Sequence, residues 1–263
     1  MIYDLQKASF WKRASAFLFD VVIMMVIVVG IATVMAALLG VDDHMSRIQA
    51  RQDYYIQSLT AEYKQVNGVD IEFNLDMGYE AMSEAQKELY HKLDEALSKD
   101  SDVQAAAFLL LNYSLVICLV STFIAYAVLE FAVPMLLFKN GQTLGKKLFS
   151  LGVVRTNCVK ASPFVLFVRM LFGKFTIETV LPLFVIIMMY FGIIGILGPV
   201  VILGLIVLEV VALCATRANS AIHDLISDTA VVDLSSQMVF ESEQALIDYK
   251  KKLHEEAVAN SPY

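Results

Sequence analysis

The sequence predicts an all-α membrane protein with four transmembrane helices. Its 263 residues are 58% hydrophobic and its mean hydropathy is +0.63, whereas soluble domains average about 45–50% apolar residues. Four apolar segments are long enough to cross about 30 Å of hydrocarbon, and the charges that separate them are strongly segregated. We therefore expect four transmembrane helices, one amphipathic interfacial helix, an extracytoplasmic helical hairpin and a small two-stranded β pairing on the cytoplasmic side.

The four spans follow from the apolar runs. The first covers about residues 16–39 and the second about 115–138. The last two, at about 178–195 and 198–216, form one apolar stretch that glycines and a proline interrupt. Two spans of about 18 residues with a Gly-Pro turn explain this stretch better than one kinked helix of about 40 residues, which is the minority interpretation.

The loop charges predict the orientation of the spans. Residues 41–102 hold 6 Lys or Arg and 14 Asp or Glu, whereas residues 139–174 hold 7 Lys or Arg and no acid. Residues 1–15 hold three basic residues and one acid. The positive-inside rule then places the N-terminus and 139–174 in the cytoplasm and 41–102 outside. Four spans return the C-terminus to the cytoplasm.

These boundaries divide the chain into four regions. The N-terminus and first span occupy 1–40, the extracytoplasmic hairpin 41–102, the membrane core 103–234 and a cytoplasmic helical tail 235–263. Within the hairpin, apolar residues at helical spacing lie on both sides of an Asn-Gly break at 67–68. That spacing predicts two helices joined by a turn.

Two kinds of short element are expected beside the membrane on the cytoplasmic side. Ser162 followed by Pro163 is typical of a helix start, with a capping serine and proline at the first helical position. The apolar residues of 164–174, interspersed with two basic ones, predict the interfacial helix. The segments 151–155 and 229–234 each contain a Val-Val pair, and we expect them to pair as two strands.

Five carboxylates form the candidate ion or proton site. An ionisable group inside a membrane is a functional-site candidate by default, and the predicted spans contain four acids but no Lys or Arg. The orientation places these four in the cytoplasmic half, with a fifth acid just after the last span. The candidate residues are Asp20, Glu130, Glu178, Glu209 and Asp224.

Acids at similar depth cannot all be ionised in a low dielectric without cations. Some must be protonated, bind a cation or pair with basic residues of the adjacent segments. The candidate partners are Arg13, Lys146, Lys147, Arg169 and Arg217. Both interpretations stay open for the cluster: a cation or proton site, or acids that anchor the basic segment. For Arg13 and Asp20, about 10 Å apart on one helix face, structural pairing is favoured.

No catalytic residue, metal site or cofactor site is predicted, so we do not expect an enzyme. The segment 140–147 departs from a phosphate-binding loop, because three residues separate its glycines and lysine follows Lys146. The four histidines and three cysteines have no metal-binding spacing. Nucleic-acid binding has little support, since the only basic segment lies between two predicted spans.

Three motifs, taken in order, resemble the RDD family of bacterial membrane proteins. The first is the Arg-x6-Asp opening within 12–20, the second is 140–148 running into 151–154, and the third is 223–232. The positions that match the arginine and two aspartates of the family name are Arg13, Asp20 and Asp224. Arg169 matches a further arginine that is often found in the family. The loop motif adds four more matching positions, Gly141, Thr143, Gly145 and Lys146. The resemblance covers the membrane core, and neither the acidic loop 41–102 nor the tail.

The resemblance implies a multi-pass protein of the bacterial cell membrane with one of two roles. Some members of the family have been proposed as cation/proton antiporters, and others act as membrane partners of larger assemblies. The first hypothesis is therefore a transporter that exchanges a monovalent cation for protons through the carboxylates. The alternative is a scaffold or partner-binding subunit with structural Arg and Asp residues. The expected partners are the lipid bilayer, a monovalent cation or proton, and a second copy or another protein. A third interpretation is lipid binding by the basic face of 139–174.

Overall fold

The structure, a computed structural model, describes residues 4–138, 140–216 and 218–259. Arg217, one of the predicted partners, lies outside the described residues. The predicted fold class is confirmed: the described chain is mainly helical, with one small sheet. Four helices are long and apolar enough to cross a membrane, and we call them the first to fourth span helices. They are Phe10–Leu38, Ser101–Leu136, Pro163–Tyr190 and Leu197–Ala215.

The third span helix begins well before its predicted start near residue 178. Ser162 caps it by accepting the backbone N–H of Val165, and Pro163 occupies the first turn, as predicted. The helix predicted over 164–174 is present, but it continues without a break into the span. Its basic residues are therefore carried by the same helix as Glu178.

The third and fourth span helices are joined by a glycine turn, as predicted. The third helix ends at Tyr190 and the fourth begins at Leu197. Between them Gly192 and Gly195 adopt left-handed φ angles of 69° and 46°, a conformation that side chains with a Cβ rarely adopt. The chain therefore forms two helices and not one kinked helix.

Two of the span helices contain π-helical turns. These turns cover Ala127–Ala132 in the second span helix and Arg169–Val180 in the third. A π-helix bonds residue i to residue i+5, and Thr179 Oγ1 likewise donates to the carbonyl oxygen of Lys174, five positions earlier, at 2.9 Å. Residues five apart therefore lie on one face in these segments.

The predicted strand pairing is confirmed. The strands β1 (Leu151–Arg155) and β2 (Thr229–Asp233) are antiparallel, and Leu151 lies opposite Asp233. Leu151, Val153 and Val231 are buried on this sheet together with Ala8 and Ala16 from the start of the chain. The sheet thus joins three distant parts of the sequence.

The described chain separates into two compact units, residues 1–28 with 122–263, and residues 29–121. The first unit also contains the short helices Leu144–Leu148 and Ile222–Ile226 and the predicted tail helix, Glu243–Ala259. The tail helix packs through Leu246 against Phe240.

The second unit contains the predicted helical hairpin, which we call the acidic hairpin. Its helices are Val41–Asn67 and Glu84–Lys99. They enclose an apolar core of Phe73, Met82, Leu89 and Leu93. Ser83 and Gln86 cap the second helix reciprocally, which explains why it begins at this position.

Candidate functional site

Most of the charged side chains buried in the first unit form one cluster. It combines residues of the first three span helices with residues of the two short helices. We call this group the ionic cluster. Its members are Arg13, Asp20, Glu130, Lys146, Arg169, Lys174 and Asp224.

Asp224 lies at the centre of one half of the ionic cluster. Its side chain is fully buried, and its Oδ1 atom accepts from Arg169 Nε at 3.0 Å and Nη2 at 2.9 Å. Arg13 Nη2 contacts Oδ2 at 3.4 Å, and Thr229 Oγ1 donates to Oδ1 at 3.2 Å. Burial alone would raise the pKa of Asp224, but Arg169, His223 and Arg13 lower this pKa well below its usual range. Asp224 is therefore held as a carboxylate.

Arg13 connects the first span helix to the segment around Asp224. Its guanidinium contacts Asp224 and also donates to the backbone carbonyl of Asn219. The favoured pairing of Arg13 with Asp20 is not found among the described residues. Seven positions on an α-helix span about 10 Å, and Arg13 contacts the nearer groups after the fourth span helix.

Asp20 is bound instead by the loop motif of the sequence. Thr143 Oγ1 donates to Asp20, and the backbone N–H of Gly145 donates to its Oδ1 atom at 2.7 Å. Lys146 Nζ lies 3.9 Å from Oδ2. A Cβ atom at Gly145 would overlap the carbonyl oxygen of Ala16. The loop motif thus brings hydrogen-bond donors to Asp20, and glycine permits the close approach.

Glu130 lies at the centre of the other half of the cluster. It binds Lys174, Lys146 Nζ lies 3.6 Å away, and Arg169 Nη1 lies 3.5 Å away. Arg169 therefore bridges Glu130 and Asp224, and Lys146 bridges Glu130 and Asp20. Burial lowers the pKa of Lys146 to about 8, although Glu130 and Asp20 oppose this shift. The two halves form one connected network.

The buried acids have basic partners within the span helices themselves. The prediction of spans without Lys or Arg was wrong, because the third span helix carries Arg169 and Lys174 and the first carries Arg13. Each carboxylate of the ionic cluster lies beside at least one of its four cations, of which Lys146, Arg169 and Lys174 are buried and Arg13 is partly exposed. Lys147 is not a member: its Nζ lies 5.7 Å from the ring centre of Phe138.

The other two candidate acids lie beside this network. Glu178 Oε1 contacts the backbone N–H of His223 at 3.2 Å and its Nδ1 atom at 2.6 Å. Burial, with Arg169 nearby, lowers the pKa of His223 despite the neighbouring carboxylates. Glu209 accepts the backbone N–H of Ile222 at 3.2 Å and is partly exposed. Among the described residues Glu209 forms no ion pair, although Arg13 lies close enough to interact with it electrostatically.

The sequence predicted most of the ionic cluster, but four contributing residues were missed, among them Thr229, which donates to Asp224. Arg13, Arg169 and Lys146 were predicted as partners of the acids, and the other three missed residues are Lys174, Asn219 and His223. Lys174 lies five positions after Arg169, and only the π-helical turn brings both to Glu130. Within the described residues no group of three His, Cys, Asp or Glu side chains could hold a metal ion.

Comparison with known families agrees with the geometry. The model of the RDD family matches residues 7–228. The chain belongs to the RDD family. The match runs from just before Arg13 to just after Asp224, so it includes every member of the ionic cluster and also spans the acidic hairpin. No curated protein and no solved structure matches this RDD-family chain.

Proposed function

We propose that this RDD-family chain is a non-catalytic membrane scaffold or partner-binding subunit whose ionic cluster holds the helices together. The supporting observation is that Asp20, Glu130 and Asp224 are all buried and all bound by donors from distant segments. A carboxylate that titrates during transport must exchange its proton or cation. A buried carboxylate with basic partners stays ionised, and separating the pair is strongly unfavourable.

The test compares stability with transport in the Asp20→Asn variant. The substitution leaves an amide N–H or a weaker acceptor facing Thr143 and Gly145, so we expect a loss of about 1–3 kcal/mol of stability. Purified protein in detergent should unfold at a lower temperature and accumulate less in cells. The matched control is Asp94→Asn, at an exposed position of the acidic hairpin. Reconstituted wild-type vesicles should show no cation-dependent proton movement.

Cation-for-proton exchange is the second candidate function, because Glu209 differs from the cluster acids. Its carboxylate accepts a hydrogen bond from a backbone N–H, and the residue is partly exposed. If transport occurs, Glu209→Gln should abolish cation-dependent proton movement in vesicles, while Glu80→Gln on the acidic hairpin should not. Flux that is lost in Glu209→Gln at unchanged protein level would replace the scaffold proposal.

The partner-binding role requires a surface outside the cluster. Three of the seven basic residues in 139–174, namely Lys146, Arg169 and Lys174, are buried in ion pairs, so they do not form a basic face for headgroups. We assign docking to the acidic hairpin, which is highly charged. A partner should co-purify stoichiometrically with the full chain, and Glu62→Lys with Glu80→Lys should release it. A chain that purifies alone, or only with itself, would contradict a separate protein partner.

We also propose the orientation in a bacterial cell membrane, with both termini in the cytoplasm and the acidic hairpin outside. The support is the charge asymmetry between 41–102 and 139–174. In a chain whose native cysteines are replaced by alanine, an impermeant maleimide should label Asn74→Cys in intact cells. It should label Lys251→Cys, on the tail helix, only after lysis. The reverse pattern would invert the topology.

A further inference from the structure

Three aromatic side chains of the acidic hairpin contact one another at its surface. Tyr79 lies in the segment between the two helices, and its ring centre is 5.4 Å from that of Tyr90 and 5.8 Å from that of His91. Both pairs meet edge to face, which is a favourable arrangement of aromatic rings. Tyr79 and Tyr90 nevertheless stay 41% and 37% exposed, and Met77, two residues before Tyr79, is 40% exposed. We call Met77, Tyr79, Tyr90 and His91 the aromatic patch.

Hydrogen bonds hold the aromatic patch in place. The hydroxyl oxygen of Tyr79 lies 2.9 Å from Nε2 of His91. The side chain of Gln86 fixes the segment that carries Tyr79, since it donates to the carbonyl oxygen of Glu72 at 2.8 Å and accepts the backbone N–H of Ser83 at 2.8 Å. A side chain that is already ordered loses little conformational entropy on binding. The exposed rings are therefore prepared for contact with another surface.

The surface around the aromatic patch is negatively charged. Asp76 and Glu80 lie within three residues of Tyr79, and Asp94 lies one helical turn after Tyr90. All three acids are exposed, and none forms an ion pair within the part of the chain that the structure describes. Apolar rings with unpaired acids at their rim are complementary to a surface that presents Lys or Arg beside apolar groups.

The lysine beside the aromatic patch does not reverse this charge. Lys87 Nζ lies 5.8 Å from the ring centre of Tyr79 and 3.0 Å from Oε1 of Glu84, so a neighbouring acid offsets it. The remaining excess of acids repels an anionic lipid surface. Tyrosine and methionine, by contrast, are enriched where proteins contact one another. These observations favour a protein over a lipid surface.

We propose that the aromatic patch docks a partner protein whose surface combines Lys or Arg side chains with an apolar centre. The proposal rests on the partner-binding role assigned to the acidic hairpin, and it names the contact surface. Tyr79 is the central anchor, because it contacts both other rings. Asp76, Glu80 and Asp94 attract the basic side chains at the rim.

The experiment uses the purified full chain in nanodiscs of phosphatidylcholine, whose headgroups carry no net charge. The probe is a short fluorescent peptide of arginine, tryptophan and serine, and its binding is measured by fluorescence anisotropy. One comparison peptide has glutamate in place of arginine, and a second has serine in place of tryptophan. We expect the arginine–tryptophan peptide to bind more tightly than either comparison peptide, and more tightly than it binds empty nanodiscs.

Two variants separate the rings from the acids. Tyr79→Ser should weaken binding of the arginine–tryptophan peptide about tenfold, as the loss of a central interface residue implies. Asp94→Asn should weaken it about twofold to fivefold, and high salt should reduce this difference. The controls are Tyr54→Ser and Asp53→Asn, which change exposed residues of the first hairpin helix. A thermal unfolding scan verifies that each variant is folded.

The controls lie away from the aromatic patch. They are next to Tyr55, whose hydroxyl donates to Asp100, and Asp100 is about 15 Å from Tyr90 along the hairpin. Both control variants should therefore bind the peptide like the wild type.

Three results would overturn the proposal. One is equal binding of the arginine and glutamate peptides, and another is wild-type binding by both Tyr79→Ser and Asp94→Asn. The third is binding no tighter than to empty nanodiscs, which would assign the peptide to the lipid surface. The partner-binding role is tested separately by co-purification. A protein that co-purifies equally with wild type and with Tyr79→Ser would exclude this surface and leave that role intact.

Discussion

Arg169 and Asp224 are joined by two contacts to a single oxygen, Nε at 3.0 Å and Nη2 at 2.9 Å from Oδ1. Both side chains are almost fully buried. The same guanidinium reaches Glu130 through Nη1 at 3.5 Å. One arginine therefore compensates two buried carboxylates that lie 94 positions apart in the sequence.

Replacement of Arg169 should be strongly destabilising. Arg169→Met leaves Asp224 and Glu130 with fewer cations in a low dielectric, and breaking a buried ion pair costs about 3–5 kcal/mol. The control is Arg155→Met, because Arg155 contacts the exposed acids Asp228 and Glu243 and such pairs contribute about 0–1 kcal/mol. Thermal unfolding in detergent measures both. If the unfolding temperature falls equally in the two variants, the buried network stabilises the protein no more than an exposed ion pair does.

Substitution of Gly145 should disrupt the binding of Asp20 without removing any charge. Gly145→Ala places a methyl group against Ala16 and the Asp20 side chain, and overpacking of this kind costs about 1–3 kcal/mol. Gly204→Ala is the control, since a Cβ there meets no other atom within 4 Å. In that helix alanine is expected to be neutral or stabilising, by up to about 1 kcal/mol. Unchanged thermal stability of Gly145→Ala would contradict the close packing described here.

Stability should fall as the pH drops below 6.5, because of His223. Its pKa is lowered in the folded state, so the unfolded chain binds a proton that the folded chain does not. The free energy of unfolding begins to fall near pH 6.5, the pKa of His223 in the unfolded chain, and stops falling at the lower pKa of His223 in the folded chain. Between these values the loss is at most about 1.4 kcal/mol per pH unit. Unfolding temperatures at pH 7.5 and pH 5.5 measure the effect.

A histidine substitution isolates this contribution. The difference between the two pH values should shrink in His223→Gln and persist in His254→Gln, which changes an exposed residue of the tail helix. The Asp224 carboxylate adds acid sensitivity only below its ordinary pKa of 3.8, outside this range. A pH response that is identical in His223→Gln and wild type would assign it to another group.

The fold was largely predictable because its main signals are local. Apolar runs predicted the four span helices, and the Val-Val pairs predicted the two strands. Gly192 and Gly195 predicted the turn between the last two spans. The start of the third span helix was harder to predict, since Arg169 and Lys174 lower the hydropathy of its first turns. Hydropathy alone assigned those turns to the membrane surface.

The pairing within the site depended on information that helical periodicity does not contain. At about 100° per residue, positions five apart on an α-helix point about 140° away from each other. Periodicity therefore separates Arg169 from Lys174, although both contact Glu130. The contact between Arg13 and Asp224 joins residues 211 positions apart, and the sequence placed both in one group without predicting that they pair.

The long separation of Arg13 and Asp224 constrains the order of folding. Arg13 is synthesised more than two hundred residues before its carboxylate, and contacts of such high sequence separation form late. Until Asp224 has been translated, the arginines of the first and third span helices lack the partner that joins them. The contacts of Arg13 and Arg169 with Asp224 must therefore form after the membrane core has been synthesised. A chain truncated before residue 224 should be degraded by quality-control proteases.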